Sequence, residues 1–343
     1  MRVSVILLYV GLAFGWMSCQ EKSVKSSGEV NIYTHRHYEA DQLLFDKFTE
    51  ETGIKVNVVS ASADELIQKL ELEGAGSPAD VLVTVDAGRL VRAEEKGLLQ
   101  PIASDLLKER IPVHLRSPEN FWFALTYRAR VLVYSKDRVD PATLSTYEQL
   151  MEDVWKGKIL TRSSENIYNQ SLLASIIAAN GEDQAEQWAA TVLSNMARSP
   201  KGNDRDQIVA VASGEGDLAI VNTYYLGIML NDPNEQTRLA AEKVGVFFPN
   251  QQDRGTHINI SGAAVTKHAP NKENAIKLIE FLSGAYAQQV LADVNYEYPV
   301  NEDVKWSDLL MEWGAFKSDT LNLSVLGKNN QQAVKIFDKV SWK

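Results

Sequence analysis

From about residue 30 to Gly97 the chain alternates three times between a short β-branched run and an amphipathic stretch, with only a few residues between them. Residues 30–34 read as a strand, and residues 41–52 as a helix closed by Gly53. Residues 55–60 form a second strand, followed by a helix over 64–73 that Ser62 or Asp64 caps and Gly74 ends. Residues 81–85 give a third strand and 89–96 a third helix, ended by Gly97. Loops this short leave one solution, a parallel sheet with right-handed helical crossovers. The fold class is therefore α/β.

The same grammar resumes further on. After Phe121-Trp122-Phe123 and the apolar run 131–134 come a strand at 158–161, helices at 170–179, 184–196 and 206–213, and a strand at 218–221. Strands at 244–248 and 257–266 and a helix over 272–283 complete the pattern. Two α/β lobes joined by extended segments account for it within 343 residues, and a cleft between lobes is where a small ligand binds.

The first residues read as an address rather than as structure. Met1-Arg2, an apolar run over 3–17 and Ser18-Cys19-Gln20 have the form of an export signal, too short for a comfortable membrane span. Cys19 is the only cysteine, so no disulfide framework or thiolate metal site exists. Its place directly after the apolar run matches a lipoprotein cleavage site, although Trp16 stands where leucine is usual; an incidental cysteine in a discarded signal is the other reading. Residues 19–29 would then be a lipid-anchored or flexible tether. The formal charge of −10 becomes one unit more negative once Arg2 is removed, which disfavours nucleic acid as a partner.

Tyrosines recur where strands run out. Tyr224 and Tyr225 follow the strand 218–221, and the carboxyl end of such a strand is a ligand-binding position. His37 and Tyr38, in His35-Arg36-His37-Tyr38, follow the first strand. Tyr168 lies between the strand 158–161 and the helix from Gln170, near a helix N-terminus that favours negative charge. Singly, each is as well explained by packing or by an exposed loop. Jointly they offer one nitrogen and four oxygens from both lobes. Adjacent strand residues face opposite ways, so Tyr224 and Tyr225 can share an ion only if the strand has ended.

Four phenolates suit a trivalent cation, whose charge offsets four unfavourable deprotonations. Zinc would call for closely spaced Cys and His, and calcium for carboxylate clusters; neither pattern is present. Nucleophile-elbow, phosphate-loop and His-Glu-x-x-His motifs are missing too. Ser62 caps a helix or binds an anion, and Ser163 or Ser164 could serve a cleft hydrolase only with a base that the sequence does not place.

Several segments carry a resemblance: His35-Arg36-His37-Tyr38, Ser60-Ala61-Ser62-Ala63-Asp64-Glu65-Leu66, Thr84-Val85-Asp86-Ala87-Gly88-Arg89-Leu90, Tyr168-Asn169-Gln170-Ser171 and Asn222-Thr223-Tyr224-Tyr225. With Gly255-Thr256-His257-Ile258-Asn259-Ile260-Ser261-Gly262, they make the mature chain similar to the ferric-iron-binding proteins of bacterial ABC importers, of the FutA type. The resemblance implies a two-lobed periplasmic binding-protein fold of type II. Its N-terminal lobe would comprise residues 30–126 plus 254–300, and its C-terminal lobe 127–253 plus 301–343, after a signal peptide over 1–18. The family's ligand pattern falls on His37, Tyr38, Tyr168, Tyr224 and Tyr225. Five protein ligands imply ferric iron without an exogenous synergistic anion, and Fe²⁺ could occupy the same cleft.

The resemblance further implies a monomeric, non-enzymatic, periplasmic protein that delivers iron to an inner-membrane ABC permease and meets the membrane only through a lipid anchor. Four phenolates around Fe³⁺ leave about one negative charge, so a nearby cation is expected. Arg128 is the first choice, with Arg36 and Arg162 as alternatives. Within the same fold, the competing reading is a receptor for an inorganic anion or phosphonate, held by the helix N-termini at Ser62 and Tyr168.

Overall fold

The structure, a computed structural model, describes residues 28–36 and 38–343; the export segment, Cys19 and His37 lie outside the described residues. Ten strands follow in chain order: β1 (Gly28–Thr34), β2 (Ile54–Ser60), β3 (Val81–Val85), β4 (Leu99–Gln100) and β5 (Trp122–Ser135), then β6 (Ile159–Leu160), β7 (Leu218–Asn222), β8 (Val244–Phe247), β9 (Ile258–Thr266) and β10 (Tyr298–Pro299). Their order across the sheet is β2-β1-β3-β9-β5-β7-β6. β1 pairs in parallel with both β2 and β3, as the alternating pattern predicts. β3, Val-Leu-Val-Thr-Val, lies between β1, to which it is parallel, and β9, to which it is antiparallel, and is buried along its whole length.

Local chemistry sets the crossovers. The helix Glu39–Thr52 stops at Gly53, whose φ of 73° is a conformation that a side chain would disfavour. The helix Ala63–Glu73 opens on a capping box in which Ser62 Oγ accepts from Glu65 N and the Glu65 carboxylate accepts from Ser62 N.

β5 differs from the sequence reading, which took Phe121–Phe123 and 131–134 as separate apolar pieces. It is one 14-residue strand. Its first part, through Ala129, pairs with β9, and Arg130 to Ser135 pair with β7 and β8. Thr126, Arg128 and Arg130 interrupt the apolar pattern, yet all three are buried inside the strand, which hid its continuity. β5 thus carries the chain from the sheet of the first lobe into that of the second.

Helices Ile167–Asn180, Glu182–Ser194, Asp204–Ser213 and Thr223–Leu230 surround the second sheet. The C-terminal segment returns across both halves. Its helix Ser324–Lys328 packs on Ala87–Glu95 and on Ile167–Asn180, while Asn330–Val340 lies along Ile167–Asn180 and Glu182–Ser194. Gly327 permits the close approach, since a Cβ there would fall 2.4 Å from that of Val91.

Candidate metal centre

β7 ends at Asn222, and the helix Thr223–Leu230 starts at once rather than near Leu226. Tyr224 and Tyr225 therefore occupy a first helical turn. Consecutive residues there are about 100° apart, not on opposite faces as in a strand. Their rings lie 4.2 Å apart between centroids, inclined by 33°. Tyr168 also sits deeper in its helix than the sequence implied. Asn166 Oδ1 accepts from Tyr168 N at 3.0 Å, so the helix begins at Ile167, not Gln170. Tyr38 is the residue just before the helix Glu39–Thr52. All four tyrosines thus stand where a helix begins after a strand, with the positive end of the helix dipole behind each.

The phenols converge. Tyr168 Oη and Tyr224 Oη are 3.3 Å apart. The Tyr38 ring meets that of Tyr224 edge-on at 6.4 Å between centroids. Burial, then Glu297, pushes the Tyr38 phenol up to about 12. Tyr224 and Tyr225 are raised as well, by burial first and then by the charge that Tyr168 would carry. These phenols keep their protons at neutral pH unless a cation displaces them. His35, the neighbouring imidazole, turns to Thr84 Oγ1 at 3.3 Å.

Three guanidinium groups surround the Tyr168 ring, with Arg128 Cζ at 5.4 Å, Arg162 at 5.7 Å and Arg130 at 5.9 Å from its centroid. Two of them are paired: Asp204 accepts from Arg130 at 2.6 Å and from Arg162 at 3.3 Å. Arg36 lies over the Tyr38 ring at 5.2 Å, but it is neutralised by Asp41 and Glu297, each at 3.1 Å. Burial would raise the Glu297 carboxyl, and Arg36 beside it overcomes this and holds it below the ordinary range.

Arg128 is different. It is 1% exposed, and none of its three guanidinium nitrogens has a hydrogen-bond partner among the described residues. Of the three arginines expected near the site, it alone brings a charge not paired with a carboxylate. Behind it, burial followed by Arg130, Arg128 and Arg254 depresses the His257 imidazole to about 3, so that histidine adds no charge.

The sequence reading missed Arg130, Asp204 and Glu297. A signal was available for the first: Arg128 and Arg130 stand two apart in a largely apolar strand, which puts both on one face. Asp204 and Glu297 have no local signature. Arg205 was missed too; its Cζ is 5.9 Å from the Tyr225 ring centroid.

The competing sites are taken up by structure. The helix start at Ser62 is filled by its own capping box. Ser163 Oγ accepts from Glu165 N, and Ser164 Oγ donates to Trp342 O, so neither hydroxyl is paired with a base. Among the described residues no group of three or more His, Cys, Asp or Glu could hold a metal, and no helix is long and apolar enough to cross a membrane. A surface groove of about 810 Å³ runs past Leu226, Leu230, Tyr296 and Trp313 and includes none of the four clustered tyrosines.

A two-lobed α/β binding-protein fold is the class that this geometry defines. Residues 33–289 match the model of the bacterial extracellular solute-binding protein family. Iron uptake protein A1 of Synechocystis sp. is 52% identical over 315 residues, which are 92% of this chain and 88% of that protein. A structure of FutA (IdiA) from Trichodesmium in complex with iron and citrate superposes with a TM-score of 0.90 at 52% identity, covering 92% of this chain and all (100%) of that one. Apo FutA2 from Synechocystis gives 0.88 at 46% identity, over 93% of this chain and 100% of its own. The chain belongs to the extracellular solute-binding proteins, in the FutA-type branch of ferric-iron-binding proteins of ABC importers. It is a binding protein and not an enzyme.

Proposed function

We propose that this protein captures one ferric ion between its lobes through the phenolates of Tyr38, Tyr168, Tyr224 and Tyr225 and the imidazole of His37, and hands it to an inner-membrane ABC permease. The observation that carries this reading is the meeting of four phenols from three separate strand ends, with Tyr168 and Tyr224 in contact at 3.3 Å. Gathering four phenols, Tyr224 buried and the other three half-buried, is costly if packing is the only purpose, because their oxygens need partners. A trivalent ion satisfies all four and offsets their deprotonation.

Charge balance supports the same reading. Four phenolates and Fe³⁺ sum to about −1, and the carboxylate-free Arg128 behind Tyr168 opposes that charge. With Fe²⁺ the sum is about −2, so the same arginine lets the reduced ion stay, more weakly held. Five protein ligands leave no role for an obligatory exogenous anion. Cys19 would tether the exported chain to the membrane through a lipid, and the mature protein would work as a monomer.

The test is a competition. Purified mature protein is incubated with ferric citrate in excess phosphate, desalted, and assayed for both. One iron per chain, with no retained phosphate, is the expected result. Retained phosphate without iron would instead establish the anion receptor.

A further inference from the structure

Asp86 occupies a conformation that its sequence position does not call for. It follows β3 with φ at 80°, a region that residues other than glycine enter at a cost. It is wholly buried and carries a carboxylate, yet no ion pair to it occurs among the described residues. Its partners are neutral donors. Gly88 N reaches Oδ1 at 2.9 Å, and Asn259 Nδ2 reaches Oδ2 at 2.8 Å. Ser171 Oγ lies 2.7 Å from Oδ1 and 2.9 Å from Oδ2.

These donors belong to different bodies. Gly88 lies in the first turn of the helix Ala87–Glu95 that follows β3, in the first lobe. Asn259 is on β9 opposite Arg128 of β5, where the two connecting strands run side by side. Its own Oδ1 accepts from Ala87 N at 2.9 Å and Ile260 N at 2.8 Å, which fixes the amide. Ser171 comes from the second lobe, on the helix Ile167–Asn180, three residues after Tyr168. At that spacing the two side chains share a helix face. Ile167, next to Tyr168, comes within contact distance of Gly88, where an added Cβ would lie 3.9 Å from its Cδ1.

We propose that Asp86 and Ser171 form an interlobe latch, in which the strained Asp86 carboxylate holds the Tyr168 helix against the first lobe and so slows opening of the metal cleft. Two of the three donors stay with Asp86 whatever the lobes do; the third leaves when they part. A buried carboxylate that loses a donor is destabilised until water reaches it. Ser171 and Asp86 touch no ligand atom; both are positioning residues. The latch rests on the ferric reading above.

The test uses the mature full-length chain loaded with ferric citrate, and follows loss of the tyrosinate–iron absorbance after excess EDTA is added. Ser171→Ala should release iron roughly tenfold faster, the scale of one hydrogen bond to a charged group. The thermal midpoint of the iron-free protein should stay where it was, because the contact belongs to the closed form. Asp86→Asn, which keeps the side-chain shape and removes the charge, should also release faster, and adding Ser171→Ala to it should change little further. Equal release from Ser171→Ala and wild type, or multiplying effects in the double variant, would overturn the latch. So would an equal loss of stability with and without iron. A wild type that develops no iron band overturns the ferric reading itself, a different failure visible before any variant is made.

Discussion

Tyr168 and Tyr224 bring their phenol oxygens to 3.3 Å although each opens a different helix after a different strand. β6 and β7 run in parallel as neighbours, so the helices that leave their carboxyl ends begin side by side. The sheet topology creates the meeting, and Tyr38 joins it from the other lobe. Each consequence below depends on that convergence.

Arg128 is the cation best placed to offset the excess phenolate charge. Replacing it with Gln removes a charge worth roughly 2 kcal/mol, for unit charges several ångströms apart at an effective dielectric near 20. Ferric affinity should fall by about one to two orders of magnitude. The reduction potential of bound iron should move negative, because the more negative reduced site needs the cation more. Competition against a chelator and spectroelectrochemistry measure the two; an unchanged potential would remove Arg128 from the account.

Proton linkage has a definite sign. The Tyr38 phenol is raised from 10.0 to about 12 in the folded protein, and Tyr224 and Tyr225 are raised too. A raised phenol stabilises the iron-free fold fully below pH 10.0, and that contribution disappears as pH climbs through the folded value. Iron-free protein should therefore lose thermal stability between pH 10 and 12. Iron-loaded protein, whose phenols are already ionised, should lose less over that interval. Iron uptake near neutral pH should release protons, measurable in weakly buffered solution.

Gly227 sits one turn beyond Tyr224 on the same helix, where a Cβ would come within 2.6 Å of the Tyr296 Cβ. Gly227→Ala forces this helix away from Tyr296, the residue before Glu297, at about 1–3 kcal/mol for an overpacked contact. Denaturant unfolding should show that loss. Iron affinity should fall with it, since the displaced helix carries two of the four phenols. Full affinity despite the lost stability would show that the site tolerates the shift.

Much of this was legible in the sequence because local patterns carry it. The β1 to β3 crossovers announce themselves through period, capping serine and terminal glycine, and their helices ended where Gly53 and Gly74 said they would. Tyr38, Tyr168, Tyr224 and Tyr225 stand out as candidates through their places after strands. What stayed hidden was long-range. β5 was split in two because buried arginines in a strand look like a break until Asp204 and Asn169 are seen to satisfy Arg130. Arg36 looked free until Glu297, from the far end of the chain, reached it. No spacing rule joins residues so far apart.

The central claim, that phenolates of both lobes hold ferric iron, is tested most directly by colour. Mature protein titrated with ferric citrate should develop an orange-red tyrosinate-to-iron charge-transfer band that saturates at one iron per chain. Replacing both Tyr224 and Tyr225 with Phe should abolish or strongly shift the band and release the iron. A wild-type protein that stays colourless, or a double variant that keeps both band and iron, would contradict the account.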